Sequence, residues 1–279
     1  MTTKLVEITL QKNYTIEMNA SSLDAATNSL PVGFYTTFST LAGGAKALGL
    51  QAHLDRLYVP AKEMGLKPSV DEKTLRSRIA EIVKLNLPHE TRVRLILVKE
   101  SGRIYIAFQP FIPPPESVYE DGVHVITSGT SRTDPRIKGT DFITKSAEQR
   151  KLVTGDVYEI LLVHNGKILE GMTSNFYAVK VPRDSSRGTL ITAQRGILLG
   201  VTRRAVLKIA RGEGLSIEYR APRIDEKFDE AFLTSSSRGV VPIVKIDGQP
   251  VGEGKVGAWA KTLRKAYQAY VEERSERIV

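Results

Sequence analysis

Cysteine is absent from the 279 residues. That excludes disulfides, a thiol nucleophile and any cysteine-ligated metal. Histidine is nearly absent too: His53, His89, His124 and His164 are the full set, and none falls in an HExxH or similar ligand spacing. No metal site is therefore expected. No run approaches the roughly 18 apolar residues of a membrane span, and Met1 to Glu7 lack the apolar core of a signal peptide. A cytoplasmic chain with no membrane partner is the expectation. Aromatic residues are sparse at 7%, and they do not alternate with the short basic clusters at Arg203-Arg204 and Arg220 to Arg223. A stacking platform for nucleic acid is missing, so the formal charge of +9 fits a basic soluble protein with an anionic small ligand better than a nucleic-acid partner.

What is present reads as α+β. Hydrophobic content of 41% and charged content of 25% are ordinary for a globular chain. A strand is expected over 4–18 and another near 34–41. Leu50, Leu54, Leu57, Ala61 and Met64 recur at helical spacing, with Pro60 expected to bend or divide that helix. Residues 70–86 read as a second helix, with Asp71-Glu72 in its first turn. Residues 91–108 read as a hairpin closed at Ser101-Gly102. The triple proline Pro113-Pro114-Pro115 favours stiff polyproline II, which predicts a small N-terminal α+β domain over 1–113, a linker over 114–119 and a larger domain over 120–279. In the second half, strand 122–127 precedes a loop over 128–141, a helix over 142–153 and a hairpin. That hairpin turns at Asn165-Gly166, a pair that tolerates the positive φ of a type I′ turn. A strand from Ser174, a polar turn over 183–188, a helix opened by Gly200, three more strands and a terminal helix complete the chain. Hairpins and helices mixed in this way predict largely antiparallel sheets.

Several residues could carry chemistry. Lys138, next to a core strand, could be partly desolvated and so nucleophilic; alone it reads more readily as a surface lysine. Arg56, in His53-Leu54-Asp55-Arg56-Leu57, could chelate phosphate with its planar fork, or pair with Asp55. Glu170 closes the hairpin; buried, it would need a cationic partner. Gly200-Val201-Thr202 opens a helix and so presents free N–H groups to an anion. Ser235-Ser236-Ser237 supply hydroxyls at a strand end. Arg92 and Arg94 alternate on one strand and share a face, from which one of them could grip a carboxylate. Arg238 is a second candidate for that grip.

Taken in order and spacing, these features resemble the class IV pyridoxal-phosphate enzymes of fold type IV, which include branched-chain and D-amino acid aminotransferases, (R)-amine transaminases and aminodeoxychorismate lyases. The motifs are His53-Leu54-Asp55-Arg56-Leu57, Lys138, Glu170-Gly171-Met172-Thr173-Ser174-Asn175, Gly196-Ile197-Leu198-Leu199-Gly200-Val201-Thr202-Arg203 and the serine run ahead of Val241-Pro242. They cover the chain from about Gly33 to Gly257. The resemblance implies pyridoxal 5'-phosphate as cofactor, with Lys138 forming a Schiff base to its aldehyde and then shuttling a proton. It implies Glu170 at the pyridine nitrogen, with Ser174 and Asn175 beside it. Arg56, Val201, Thr202, Ser236 and Ser237 would surround the phosphate. It also implies a homodimer with the site between the domains. Tyr35 and Thr36 are expected to line the substrate side, with Arg92, Arg94 or Arg238 as carboxylate ligand. Two departures stand out. Phe142 lies where many members have a Tyr bonded to the cofactor's phenolic oxygen. Ser39 lies where branched-chain enzymes have an Arg, and Thr36-Thr37 is closer to the lyases. The expected activity is transamination between a D-amino acid, branched-chain L-amino acid or primary amine and a 2-keto acid, with pyruvate elimination by an aminodeoxychorismate lyase as the alternative.

Overall fold

The computed structural model describes residues 3–130, 132, 134–182 and 187–279. Ser131 and Thr133 of the loop before Lys138, and residues 183–186 of the expected polar turn, lie outside the described residues. The chain runs β1 (Thr3–Ile8), β2 (Asn13–Ala20), α1 (Leu23–Asn28), β3 (Gly33–Ser39), β4 (Lys46–Leu48), α2 (Leu50–Glu63), α3 (Glu72–Lys84), β5 (Thr91–Val98), β6 (Ile104–Pro110), α4 (Ser117–Glu120), β7 (Val123–Ser128), α5 (Asp141–Lys145) and α6 (Ala147–Arg150). It continues through β8 (Val157–His164), β9 (Lys167–Gly171), β10 (Asn175–Lys180), β11 (Thr189–Thr192), α7 (Val201–Gly212), β12 (Ser216–Tyr219), β13 (Glu230–Ser235), β14 (Gly239–Ile246), β15 (Gln249–Pro250), α8 (Ala258–Arg274) and β16 (Ser275–Arg277).

These elements form two units. One comprises Met1–Ile112, Ile137–Lys145 and Arg274–Val279; the other comprises Pro113–Arg136 and Ser146–Glu273. The units are not consecutive blocks of sequence, as the expectation of domains over 1–113 and 120–279 had them. The Lys138 segment belongs to the first unit because its backbone is bonded to β3: Tyr35 N–H donates to Lys138 O at 2.9 Å, and Thr140 N–H to Gly33 O at 2.9 Å.

The first unit is built on an antiparallel sheet of order β2-β1-β6-β5-β3. Side chains alternate between its faces. Phe34, Phe38, Val93 and Leu95 face α2 and α3 in one core, which includes Leu54, Leu57, Leu75 and Ile79. Tyr35, Ile96 and Ala107 face the other way, in a cluster with Leu23 and Ala26 of α1 and Ile143 of α5. The strand expected over 4–18 is two strands, divided by a turn in which Thr9 Oγ1 donates to Lys12 O at 2.8 Å. Pro60 neither divides nor ends α2. It sits near the C-terminal end of the helix, where its missing N–H costs only the bond to the Arg56 carbonyl. The helix Glu72–Lys84 is capped by Asp71, whose side chain accepts from Thr74 N–H, as N-caps do.

The second unit holds a nine-stranded sheet. Most of its pairs are antiparallel, but β11–β12, β7–β14 and β7–β8 run parallel. The order β10-β13-β14-β7-β8-β9 returns on itself through one pair, Asn175 of β10 with Glu170 of β9. That pair turns six strands into a closed barrel and removes two sheet edges. Phe176, Leu233, Val241 and Ile243 lie in its core. The single helix expected over 142–153 is the two short helices α5 and α6, broken at Ser146, whose φ of −96° and ψ of 11° leave the helical region.

Candidate active site

In the first unit, Lys138 is held by its backbone and half-buried. Gly139 bridges to Phe34, and Gly33 N–H donates to Thr140 Oγ1 at 2.8 Å. Lys138 Nζ lies 4.9 Å from the centroid of the Tyr35 ring, within cation–π reach. Thr36, expected beside Tyr35, points to the opposite face. It is fully buried and bonded to His53 Nδ1 at 2.7 Å, so Tyr35 and Thr36 do not line one wall. His53 is on the inner side of α2, one turn before the half-buried Arg56. Burial, then the positive charges of Arg56 and Lys138, hold its imidazole well below the usual histidine range. It is a neutral group beside two cations.

Arg94 is buried. Nε donates to Thr37 Oγ1 at 3.0 Å, and Nη1 to Asp24 Oδ1 at 2.7 Å and Thr27 Oγ1 at 2.9 Å. Arg92 is half-buried and pairs in register with Ser39. Phe142 is buried in α5 and brings no hydroxyl.

In the second unit, the type I′ turn at Asn165-Gly166, with φ of 49° and 67°, together with a one-residue irregularity at Leu169, sets the register that places Glu170 opposite Leu162. Glu170 is only 2% exposed. Its Oε1 accepts from Arg132 Nε at 2.8 Å. Its Oε2 accepts from Leu198 N–H at 3.1 Å and Asn175 Nδ2 at 3.4 Å. Arg132 also donates to Met172 O at 2.9 Å. A charge this buried needs such compensation. Sequence reasoning missed Arg132, which comes from a loop without periodicity. Asn175 Nδ2 also donates to Leu198 O at 2.8 Å. A Cβ at Gly200 would collide with Asn175 Oδ1, so glycine is required at this approach.

Gly200 is the N-cap of α7 and gives no side-chain cap. The first N–H groups of the helix therefore have no partner within it. Thr202 is buried, and its hydroxyl makes no hydrogen bond of standard geometry; the Tyr267 hydroxyl is its near neighbour. Val201 is half-buried, as are Ser236 and Ser237 in the turn between β13 and β14. Ser174 is buried behind Gly171.

Arg238, expected as a carboxylate ligand, spends its nitrogens on protein groups. Nε donates to Ser235 Oγ at 2.9 Å, Nη2 to Thr173 Oγ1 at 2.7 Å, and Nη1 pairs with Glu159 Oε2 at 2.7 Å. Glu159, also unforeseen, accepts at Oε1 from Thr173 N–H and Oγ1 at 2.6 and 2.8 Å. Arg238 thus ties the serine turn to the loop after Glu170. No group of potential metal ligands occurs among the described residues, and no helix there is long and apolar enough to cross a membrane.

The family model for amino-transferase class IV matches residues 33–246. D-alanine aminotransferase from Bacillus licheniformis is 28% identical over 78% of this chain and 81% of its own length. A solved Thermotoga maritima structure, a candidate branched-chain amino acid aminotransferase, is 27% identical, covers 96% of both chains and superposes with a TM-score of 0.76. A branched-chain amino acid aminotransferase from T.th., solved with pyridoxamine 5'-phosphate, has a TM-score of 0.82 over 100% of this chain and 99% of its own at 19% identity. That last likeness speaks to the fold.

Proposed function

Because the chain belongs to the class IV aminotransferase family, we propose that Lys138 is its catalytic lysine and that Arg56, Glu170, Val201, Thr202, Ser236 and Ser237 hold its cofactor. The cofactor is pyridoxal 5'-phosphate, and the reaction is transfer of an amino group to a 2-keto acid. The lyase outcome is not favoured, since the named relatives are aminotransferases. A D-amino acid or branched-chain L-amino acid donor is the reading for this chain, by likeness to those relatives. A homodimer, which the family resemblance implies, and a cytoplasmic location are proposed together with this reading.

The residues fit the cofactor. Thr202 has a buried hydroxyl without a standard hydrogen bond, at the start of an uncapped helix of twelve residues, which suits a phosphate. When bound, the cofactor supplies an electron sink for the carbon that loses a proton. Lys138 Nζ would take that proton and return it, and the bonds of its backbone to β3 anchor the residue that carries the amine. Glu170 would balance the positive charge of the ring nitrogen, and Arg132, Leu198 N–H and Asn175 fix its orientation. Asn175 supports it from behind, and Ser174 packs against Gly171.

One connected lattice carries the reading. Glu170 bonds Leu198 N–H and Asn175, Asn175 bonds Leu198 O, and Asn175 closes on Gly200 at the start of α7. A buried acid and an anion cradle are thereby locked together, as a ligand with both a basic ring and a phosphate requires. The test is incubation with pyridoxal phosphate, gel filtration and an absorbance spectrum, followed by half-reactions with D-alanine, L-leucine and a primary amine. A yellow protein that bleaches with one donor is expected; a colourless one refutes the reading. In Lys138→Ala, borohydride should fix no cofactor to the protein, and turnover should fall by about 10³-fold or more. Fixation at an unchanged level would assign the lysine elsewhere.

A further inference from the structure

Arg94 is a buried cation on the strand face that carries Tyr35. Its Cζ lies 4.8 Å from the Tyr35 ring centroid, and Lys138 Nζ lies 4.9 Å from the same centroid. One aromatic ring therefore relates the guanidinium to the proposed catalytic amine. The two distances bound the separation at under about 10 Å, a span that a five-carbon diacid could bridge with its α-carbon near Lys138 Nζ and its far carboxylate accepting a hydrogen bond from Arg94. Left with its charge uncompensated, Arg94 would select such a diacid. The chain instead provides its own carboxylate. Asp24 of α1 sits 2.7 Å from Arg94 Nη1, with the arginine side chain 7% and the aspartate side chain 32% exposed. Thr27 and Thr37 take two more of the guanidinium's hydrogen bonds. An incoming second carboxylate would have to approach the guanidinium against the charge of Asp24, or displace it.

We infer that Asp24 is a specificity-determining residue: it occupies Arg94 as a built-in carboxylate and turns the substrate site away from dicarboxylic acids. Monocarboxylic donors and acceptors with uncharged side chains are the substrate class that remains. This rests on the aminotransferase reading of Lys138. It extends that reading, because the family match does not distinguish diacids from monoacids.

The experiment titrates the pyridoxal-phosphate-loaded protein with two unreactive probes, glutarate and 4-methylpentanoate, and reads the perturbation of the cofactor absorbance. The wild-type chain should bind 4-methylpentanoate more tightly by about tenfold or more. Asp24→Asn should tighten glutarate by about tenfold and leave 4-methylpentanoate within about threefold. Asp24→Glu, which keeps the charge, should hold glutarate at its wild-type value. The double variant D24N/R94M should lose the gain, since no guanidinium is left to bind. If D24N is recovered unfolded, refolding in glutarate but not in 4-methylpentanoate supports the inference, and refolding in neither overturns it. Equal or absent effects of D24N on the two probes overturn it while the holoprotein spectrum leaves the aminotransferase reading intact. A wild-type chain that retains no cofactor overturns both.

Discussion

His53 is fully enclosed and neutral, with Thr36 at one ring nitrogen and two cations nearby. Folding therefore excludes a proton that the unfolded chain accepts. Below the ordinary histidine pKa of 6.5, the unfolded state binds more protons than the folded state, so stability rises with pH through this window and is lost as pH falls. Urea unfolding from pH 7.5 to 5.5 should lose stability with a slope approaching about 1.4 kcal/mol per pH unit at the acid end. His53→Gln should remove that component of the slope; an identical slope in both proteins would show that His53 does not carry it. The cofactor cradle makes a second prediction. Thr202→Val keeps the shape of the side chain and removes a hydroxyl that lacks a standard bond. Cofactor affinity should fall by about 1 kcal/mol, near fivefold, with the apo-protein's melting temperature unchanged. Loss of both together would make Thr202 a structural group. Lys138, Glu170 and Thr202 could be named as candidates from the sequence because the resemblance gives each a place in one ordered set of motifs. Arg132 and Glu159 were not, although they compensate the two charges on which the loops around Glu170 depend. Their partners lie 38 and 79 positions away, and no local period marks either residue.

The hairpin β8–β9 shows how an element sets a site. Asn165 and Gly166 both have positive φ, as a type I′ turn requires; the turn sets the pairs His164–Lys167 and Val163–Ile168, and a one-residue irregularity at Leu169 then brings Glu170 opposite Leu162 and to the closing pair with Asn175. A Cβ at Gly166 would meet nothing within 4 Å, so the cost of substitution there is torsional. Gly166→Ala should destabilise the protein by about 1–2 kcal/mol and leave cofactor retention intact. Inserting one residue after Gly166 should abolish retention, because a one-residue slip sends Glu170 to the other face of its strand. Retention after gel filtration separates the two variants, and cofactor held by the insertion variant would show that this register does not deliver Glu170. The turn and its strands were readable from sequence because residue chemistry and strand period agreed. The barrel closure was not, since it rests on a single pair between two strands that each have another partner. The short strands β4, β11 and β16 offered too few residues for a period to show. Pro60 misled because its effect depends on its place in the helix: near the C-terminal end it removes one bond and leaves the helix whole.

At the scale of the whole chain, sequence order and physical unit part company. The triple proline predicted a self-sufficient domain ending at 113. Yet the unit that contains β1 to β6 also requires residues 137–145 and 274–279. Ile143 enters the cluster of Tyr35, Ile96 and Leu23. Ile137, Ile278 and Val279 pack against the core of α2 and α3, and β16 pairs with β4. Glu276 accepts from Leu50 N–H at the start of α2 at 2.9 Å, replacing the cap that Gly49, with φ of 63° and no side chain, cannot give. A fragment of residues 1–112 would expose all of these surfaces and leave the first turn of α2 without its acceptor. Each buried apolar side chain contributes about 1.5–3 kcal/mol, so losing even Ile143 and Ile137 takes a large part of the 5–15 kcal/mol that holds a typical domain. The fragment should therefore show no cooperative urea transition by circular dichroism, whereas the full chain does. A cooperative transition in the fragment at the full-chain midpoint would show that residues 1–112 fold alone and that the Lys138 segment adds only chemistry. The arrangement has a functional corollary. The segment that carries the proposed catalytic lysine also contributes Ile137 and Ile143 to the packing of the first unit, so the backbone at Lys138 is placed by the folding of that unit.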